Sequence, residues 1–440
     1  MPDPARLRAV HRLLRIEEDG AFVSRVNEPT GADVERRAIA LVAGVTRWKR
    51  WLDWVLAQYV RQPLASLDPE LRESLRLGAF ELLVEEKPAH AAVGEAVGVT
   101  RALLHTGAAG LANAVLRKVA RARDEERPLA PETDDLANDL AVRHSHPTWM
   151  VRRWLARWGE DATLALLRAH NTVPTFSLRV NPLRTTPEAA MDTLAERGAE
   201  PALSRWASGV VTVRRLGPAL QSALVARGHL AVQDEAAALV VRVLDPQAGE
   251  AILDGAAAPG GKAIAAAEWM GNEGRVVAVD VNEAKTRLIA TAAEAHGTTI
   301  VEPLAADLQS FEPGEMFDRV LLDAPCSGTG VLAKRADLRW RRSPEALADL
   351  ARLQDDLLDA AARLVRPGGL LVYSTCSLER DENEDRVDAF LLRHPEFTHE
   401  AVGETVPEEM RTPEGNYTAL PHVHGTDGAF AARLRRSPDA

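Results

Sequence analysis

The chain has two cysteines, and each follows a short hydrophobic run. The run Val320-Leu-Leu322 ends in Asp323-Ala-Pro-Cys326, and the run Leu370-Leu-Val-Tyr373 ends in Ser374-Thr-Cys376. Such runs are typical of buried parallel strands. The carboxyl ends of strands in an open α/β sheet meet at one crevice, where ligands bind. We therefore expect both thiols and the Asp323 carboxylate to converge, as nucleophilic catalysis by a cysteine would require.

A strand, a loop of small residues and an alanine-rich helix are predicted at 251–263. Small residues allow a ligand to approach the backbone closely, and the helix amides would face an anionic group. Two later strands lead to Asp280 and Asp307, where acidic residues can bind ribose hydroxyls. The pattern predicts a nucleoside cofactor, and S-adenosylmethionine (SAM) is the best candidate because neither a Gly-x-Gly-x-x-Gly loop nor a Walker lysine-serine pair is present.

A single cysteine at a strand end is more often a small buried hydrophobic residue than a nucleophile. Here the two cysteines stand in Pro-Cys-Ser-Gly and Thr-Cys-Ser contexts, after a cofactor-type loop and two strand-end aspartates. This combination favours a catalytic interpretation of both thiols.

Length and composition bound the class of protein. The 440 residues can form about three domains of ~150 residues each, and the 46% hydrophobic content is that of a globular protein. No apolar run reaches the ~18 residues of a membrane helix, and two cysteines cannot form a disulfide framework. We therefore expect a cytoplasmic protein with reduced thiols and no membrane partner.

The charge is negative overall but unevenly distributed. The net charge is −11, which argues against indiscriminate nucleic-acid binding. Residues 1–130 contain 20 Lys and Arg against 18 Asp and Glu, whereas the remainder contains 33 against 46. A polyanion would therefore be bound by local basic patches.

Four segments are predicted. Apolar residues recur at three- and four-residue steps through much of 1–125, which indicates an all-helical domain. Residues 126–143 are charged and contain prolines, as in a linker. A mixed α+β region follows at 144–245, and a Rossmann-like α/β domain at 246–440. His144 and His146 lack further ligands nearby, so no metal site is expected.

The helical region contains two groups of residues with two interpretations each. Trp48, Trp51 and Trp54 could pack in the core or, beside neighbouring basic residues, stack on RNA. A basic cluster could contact phosphate or form a solvated helix face. Its members are Arg117, Lys118, Arg121 and Arg123.

Several motifs carry a resemblance to known families. Leu75–Leu83, Pro88–Val97 and Ala112–Lys118 resemble the NusB-related helical domain, which implies an RNA-binding module. The remainder resembles the NOL1/NOP2/Sun family of RNA cytosine-C5 methyltransferases. The matching motifs are Asp254–Lys262, Asp280, Asp307, Asp323–Gly330, Leu338–Trp340, Ser374–Ser377 and Pro421–Gly428. Relative to that family, cysteine is replaced by Ala256, threonine by Ala263 and an aromatic residue by Ala429.

The resemblance implies SAM-dependent methylation of a cytosine in ribosomal RNA, expected in the small subunit, by a monomer. It assigns attack on cytosine C6 to Cys376, contact with the N3 edge to Asp323 and release of the product to Cys326. A positive neighbour, either Lys262 or the SAM sulfonium, could stabilise the Cys376 thiolate. The expected cofactor contacts are Ala256, Ala257, Ala258, Pro259, Gly260, Gly261, Lys262, Asp280, Asp307 and Asp323.

These roles require unusual protonation states. Lowering the Cys376 pKa from ~8.5 to ~6.5 would make it mostly thiolate, a change equivalent to about 2.7 kcal/mol. Donation of a proton by Asp323 would require its pKa to rise from ~3.9 towards ~7, at about 4 kcal/mol. Gly328 and Gly330 are expected to leave room for the base.

The basic run 334–342 directly follows the Cys326 loop. It could be a solvated face or the path of the RNA backbone, with Trp340 stacking or packing. Two other functions remain open: a non-catalytic RNA-binding assembly factor on the same fold, and a cysteine hydrolase. No histidine lies in a convincing general-base context for the hydrolase.

Overall fold

The computed structural model describes residues 3–23 and 33–439, so parts of the predicted 1–125 domain, residues 1–2 and 24–32, lie outside the described residues. The chain forms two compact units. The first comprises residues 1–172 and 332–341, and the second comprises residues 173–331 and 342–440. The predicted class, an all-helical domain followed by a Rossmann-like α/β domain, is confirmed.

The first unit is helical throughout its described residues. Its helices are α1 (Pro4–Glu18), α2 (Asp33–Ala57), α3 (Pro69–Leu83), α4 (Ala89–Leu103), α5 (Thr106–Asp124), α6 (Leu136–Arg143) and α7 (Thr148–Asn171). Asp3 caps α1 by accepting a hydrogen bond from the Arg6 amide, and Pro69 begins α3, where a missing N–H costs nothing. Helices α1 to α5 enclose one apolar core that includes Leu41, Leu75 and Leu116.

The three tryptophans of α2 pack against this core. Trp48 and Trp51 have ring centroids 5.3 Å apart. The Trp51 indole N–H donates to the Leu129 carbonyl at 2.7 Å. These contacts favour the packing interpretation over RNA stacking.

The helical unit extends beyond the boundary expected at residue 125. Helix α6 occupies part of the expected linker, and α7 occupies the start of the expected α+β region. Asp135 caps α6 through the Asn138 amide, and Leu140 is buried. Eight residues among charged neighbours are too few to show a helical period, so the sequence pattern indicates a linker where the structure has α6.

The segment Leu332–Arg341 belongs to the helical unit. Arg339 is fully buried there and donates to the Ser145 carbonyl and the Asn171 side chain, both at 3.0 Å. The Trp340 indole N–H donates to the Thr46 carbonyl at 2.7 Å. Neither side chain is therefore available to RNA in this arrangement, so an RNA path built from the whole basic run is wrong.

The second unit begins with a small antiparallel sheet. Its strands β1 (Phe176–Val180), β2 (Pro201–Leu203), β3 (Val210–Val213) and β4 (Leu230–Val232) pair in the order β2-β3-β1-β4. Helices α8 (Pro187–Glu196) and α9 (Leu216–Leu220) accompany it. Leu178, Leu194 and Val211 lie in its separate apolar core.

The large sheet has eight strands. They are β5 (Ala251–Asp254), β6 (Arg275–Asp280), β7 (Val301–Ala305), β8 (Phe317–Asp323), β9 (Val365–Thr375), β10 (Phe397–Glu400), β11 (Tyr417–Ala419) and β12 (Ala429–Arg436). Their order is β10-β12-β9-β8-β5-β6-β7, with β11 paired to β12. Strands β5 to β9 are parallel, and β10, β11 and β12 are antiparallel additions.

Helices cover the large sheet: α10 (Glu235–Leu244), α11 (Gly261–Trp269), α12 (Glu283–His296), α13 (Pro344–Ala362), α14 (Glu384–Arg393) and α15 (Pro421–His424). From β5 the chain adds β6 and β7 on one side, then β8 and β9 on the other. This reversal places a ligand crevice at the carboxyl ends of β5 and β8. In the described residues no helix has the length and hydropathy needed to span a membrane.

Candidate active site

Four predicted site residues, together with Asp254, lie at the carboxyl ends of the five parallel strands. Asp254, Asp280 and Asp323 are the last residues of β5, β6 and β8. Asp307 lies two residues beyond β7, and Cys376 directly follows β9. Because these strands are parallel, the five residues share one edge of the sheet, as the sequence predicted.

The two cysteines are adjacent. The Sγ atoms of Cys326 and Cys376 are 3.2 Å apart, within hydrogen-bonding distance for sulfur. Both residues are partly exposed. The hydrogen bond with Cys376, together with burial, raises the pKa of Cys326 well above its ordinary value. A thiolate at Cys326 is therefore disfavoured while Cys376 lies beside it.

Lys262 and Asp323 form an ion pair beside the thiols. Lys262 Nζ donates to Asp323 Oδ2 at 2.5 Å, and the Ser374 hydroxyl donates to Asp323 Oδ1 at 2.8 Å. Burial alone would lower the pKa of Lys262, but the Asp323 carboxylate outweighs it and raises that pKa, helped by the charges of Asp254 and Cys376. Lys262 therefore remains a cation that neutralises the acidic crevice.

Asp254 is a buried carboxyl group that the sequence did not single out. Neither of its side-chain oxygens has a hydrogen-bond partner among the described residues. Burial, followed by the charge of Asp323, raises the pKa of Asp254 to about 7. Asp254 stands in the motif Asp254–Lys262. The sequence pattern of a strand end, however, does not show whether an aspartate there has hydrogen-bond partners.

The loop between β5 and α11 has the features expected of a cofactor cradle. Gly260 is in the left-handed region at φ 101°, and a Cβ there would come within 3.0 Å of Ile289. Asp280 and Asp307 each accept a backbone N–H through Oδ1, and among the described residues their Oδ2 atoms have no partner. Free carboxylate oxygens at this edge fit the hydroxyl groups of a ribose.

Gly330 has a further role that the sequence did not predict. A Cβ on Gly330 would lie 2.7 Å from Gly428 Cα and 2.8 Å from the Cys376 carbonyl oxygen. The Gly330 amide donates to that same carbonyl at 3.0 Å. The glycine therefore makes room for the Cys376 backbone, and room for a base at Gly328 and Gly330 stays a prediction.

The basic run contributes one residue to this unit. Arg342 Nε donates to the Ser327 carbonyl at 2.8 Å, and Nη2 donates to the Cys326 carbonyl at 3.2 Å. Arg342 therefore stabilises the Cys326 loop by binding two of its backbone carbonyls. The sequence located this arginine near the loop but could not predict that it binds backbone.

Glu382 was not predicted as part of the site. It is fully buried and accepts hydrogen bonds from Ser327 and Ser377, the residues that follow the two cysteines. In the sequence it stands in an acidic run, Asp381-Glu382-Asn383-Glu384-Asp385, that is typical of a solvated surface. The burial of Glu382 is therefore visible in the structure and not in the sequence.

Three family descriptions match the chain in order. Residues 3–121 match "NusB family", residues 146–218 match "Methyltr_RsmF/B-like, ferredoxin-like domain", and residues 241–435 match "16S rRNA methyltransferase RsmB/F". These ranges correspond to the helical unit, the small sheet with the helix before it, and the large sheet.

Relatives resemble the chain over nearly its full length. It is 34% identical to a probable ribosomal RNA small subunit methyltransferase B of Bacillus subtilis, covering 97% of this chain and 98% of the relative. It is 33% identical to ribosomal RNA small subunit methyltransferase B of Pseudomonas syringae, covering 90% and 87%. The crystal structure of PH0851 is similar with a TM-score of 0.81, at 30% identity and 99% coverage of both chains. The chain therefore belongs to the RsmB/F methyltransferase family, within the NOL1/NOP2/Sun group, and carries a NusB domain.

Proposed function

We propose that the protein transfers a methyl group from SAM to C5 of a cytosine in small-subunit ribosomal RNA, through a covalent bond between Cys376 and C6. The observation that carries this proposal is the 3.2 Å separation of the Cys326 and Cys376 sulfurs beside the Lys262–Asp323 ion pair. Family membership supports the ribosomal substrate, because relatives of the same length are described as small-subunit rRNA methyltransferases.

The residues present fit SAM. The loop residues Ala256 to Gly261 precede the amino end of α11, whose free N–H groups suit a carboxylate. Asp280 and Asp307 offer oxygens to the ribose, and the partly exposed Asp323 carboxylate lies at the same edge of the sheet. When bound, SAM supplies the electrophilic methyl group.

Cys376 acts as the nucleophile. Its sulfur lone pair forms the bond to C6, and the electrons of the C5–C6 double bond become available at C5 to take up the methyl group. The Cys326 S–H and the Lys262 ammonium both stabilise negative charge on Cys376 before attack. For the Cys376 sulfur to reach C6, the cytosine must be flipped out of a helix or lie in a single strand. Enzymes that act on bases commonly bind them in this way.

Asp323 binds the N3 edge of the cytosine. Before substrate binds, both of its oxygens accept hydrogen bonds, from Lys262 and Ser374. Donation to N3 therefore requires Asp323 to take up a proton from solvent as the base enters, while Lys262 stays a cation beside it. The proton neutralises the charge that builds up on the ring during attack.

Cys326 completes the reaction. Once the Cys376 sulfur is bonded to C6 it is uncharged, so it no longer disfavours a thiolate at Cys326. Cys326 gives its own proton to solvent, and the resulting thiolate accepts the proton from C5. The electrons of the C5–H bond re-form the C5–C6 double bond, the C6–S bond breaks with its electron pair returning to Cys376 as a thiolate, and N3 returns its proton to Asp323. The proposed role of Cys326 is therefore product release and not methyl transfer.

The product can be mapped directly. Small-subunit rRNA from cells lacking the protein is incubated with SAM and purified enzyme, then treated with bisulfite, which converts cytosine but spares 5-methylcytosine. We expect one protected cytosine with the wild type and none with Cys376→Ala. Protection absent with both proteins, on naked and partly assembled rRNA, would instead favour an RNA-binding assembly factor.

A further inference from the structure

Both cysteine-bearing loops converge on one buried carboxylate. Glu382 Oε1 accepts the Ser327 amide at 2.8 Å, and Oε2 accepts the Ser327 hydroxyl at 2.5 Å. Oε2 also accepts the Ser377 hydroxyl at 2.5 Å. Ser327 and Ser377 directly follow Cys326 and Cys376, so each contact lies one residue from a thiol.

Further hydrogen bonds hold Glu382 itself. Gln354 Nε2 donates to Glu382 Oε1 at 3.1 Å and also to the Pro325 carbonyl at 2.9 Å. The Tyr373 hydroxyl donates to the Glu382 carbonyl at 2.6 Å. The next residue, Asn383, donates to the Ser377 carbonyl at 2.9 Å. Side chain and backbone of Glu382 are thus anchored to both loops and to the body of the sheet.

A buried carboxylate is expensive unless its oxygens are fully hydrogen-bonded. Glu382 satisfies this condition with four donors, three of which belong to the two loops. A neutral side chain that merely filled space would avoid the desolvation cost. The arrangement therefore indicates that the carboxylate is retained because it connects the loops.

We propose that Glu382 is a positioning residue that sets the spacing and orientation of Cys326 and Cys376 by binding the serine next to each. It touches neither substrate nor cofactor in this proposal, which rests on the catalytic roles proposed above for the two cysteines. Its charge also faces Cys326 and contributes, after the Cys376 hydrogen bond and burial, to the raised pKa of that thiol. Glu382 thus favours a protonated Cys326 before the base is attacked.

The test uses the fact that the chain has only two cysteines. Dibromobimane becomes strongly fluorescent when two neighbouring thiolates each displace one bromide, so its rate of cross-linking reports on the Cys326–Cys376 pair without any methyl transfer. Rates are measured on the full chain for wild type and Glu382→Gln, together with kcat, the KM for RNA and the Kd for SAM.

The matched control is Glu268→Gln. Glu268 is also buried in the same unit, where it pairs with Arg179 and binds His296 at 2.7 Å, but it has no contact with either cysteine loop among the described residues. It reports the effect of removing a buried carboxylate charge on folding alone. We expect Glu268→Gln to lower the unfolding midpoint and to leave the cross-linking rate and kcat within about twofold of wild type.

For Glu382→Gln we expect cross-linking and kcat to fall by about 10- to 100-fold, with KM and the Kd for SAM within about twofold, which corresponds to about 1.4–2.7 kcal/mol in the barrier. Wild-type cross-linking and kcat in this variant would overturn the proposal. If Glu382→Gln does not fold, Ser327→Ala and Ser377→Ala each remove one hydroxyl donor and should each slow cross-linking several-fold. No slowing in either would also overturn it.

The two proposals fail differently. If the wild type does not methylate rRNA but Glu382→Gln still slows cross-linking, the proposed function is wrong and the positioning role stands. If methylation is found but Glu382→Gln leaves cross-linking unchanged, the positioning role is wrong and the function stands.

Discussion

The sulfurs of Cys326 and Cys376 lie 3.2 Å apart, although the residues are 50 positions apart in the chain. Strands β8 and β9 are parallel neighbours in register at Asp323 and Ser374, and each cysteine follows within three residues. Gly330 and Glu382 then join the two loops beyond the strands. The separation of the thiols is thus set by sheet register and by contacts between loops.

Cys376 should be indispensable for the chemistry but not for cofactor binding. Replacement of Cys376 by Ala removes the nucleophile, so methyl transfer should fall by at least about 10³-fold, since no covalent route remains. Isothermal titration should show a SAM affinity within about threefold of wild type. A variant that kept a tenth of wild-type activity would rule out Cys376 as the nucleophile.

Lys262 should support both Cys376 and Asp323. Lys262→Met removes the cation while keeping much of the side-chain volume, and it leaves the Asp323 carboxylate without its 2.5 Å partner. We expect kcat to fall by about 10²-fold or more, as for the loss of other charge-stabilising groups in active sites. Lys285, on an exposed face of α12, provides the control as Lys285→Met, which should retain full activity.

Asp254 should make stability depend on pH. Its folded pKa of about 7 lies above the ordinary value of 3.8, so the folded state binds the proton more tightly than the unfolded state does. Stability contributed by the neutral form is complete below about pH 4 and is lost as pH rises through 7, by up to about 4 kcal/mol.

Thermal unfolding at pH 5 and pH 8 can measure this effect. Asp254→Asn keeps the neutral shape, so its midpoint should fall less between the two pH values than that of the wild type. Asp192, which is exposed, should give the wild-type pH dependence as Asp192→Asn. Equal pH dependence in Asp254→Asn and wild type would show that Asp254 is ionised at neutral pH.

Much of the site could be predicted from sequence because its residues lie at strand ends. Asp280, Asp323 and Cys376 each follow a hydrophobic run, and the parallel arrangement brings such ends together. Glu382 and Arg342 could not be predicted, since a charged residue in a polar run is usually solvated. Their burial depends on contacts between loops that have no periodic signal.

The sequence predicts the fold class correctly, and the structure differs from the prediction only in local features. Strongly periodic helices such as α2 and α3 were identified, whereas the eight residues of α6 were hidden in a charged stretch. The burial of Arg339 could not be predicted from its sequence context either. It stands in a basic run, yet it is fully buried because backbone carbonyls and Asn171 accept its hydrogen bonds.

Arg339 should be a stability residue of the helical unit. Arg339→Ala leaves the Ser145 and His170 carbonyls and the Asn171 side chain without their donor in a buried setting. Removing such a buried hydrogen-bonding group should cost about 2–4 kcal/mol. Scanning calorimetry should show a lower unfolding midpoint for Arg339→Ala, while Arg335→Ala, at an exposed position of the same segment, should match wild type.

Gly330 should be intolerant of any side chain. A Cβ 2.7 Å from Gly428 Cα and 2.8 Å from the Cys376 carbonyl meets backbone on both sides, so Gly330→Ala must push the loops apart. We expect kcat to fall by about tenfold or more, because small misplacements of reacting groups are costly. At Gly217 nothing lies within 4 Å of an added Cβ, and Gly217→Ala should retain wild-type kcat.

The most direct test of the central claim uses Cys326→Ala. Unmethylated small-subunit rRNA is incubated with SAM labelled in the methyl group and with either wild type or the variant, and the products are separated on denaturing gels. The account predicts free labelled RNA with the wild type and a labelled, denaturant-resistant protein–RNA adduct with Cys326→Ala, which disappears in Cys326→Ala/Cys376→Ala. Free methylated RNA released by Cys326→Ala at the wild-type rate would contradict the assignment of attack to Cys376 and release to Cys326.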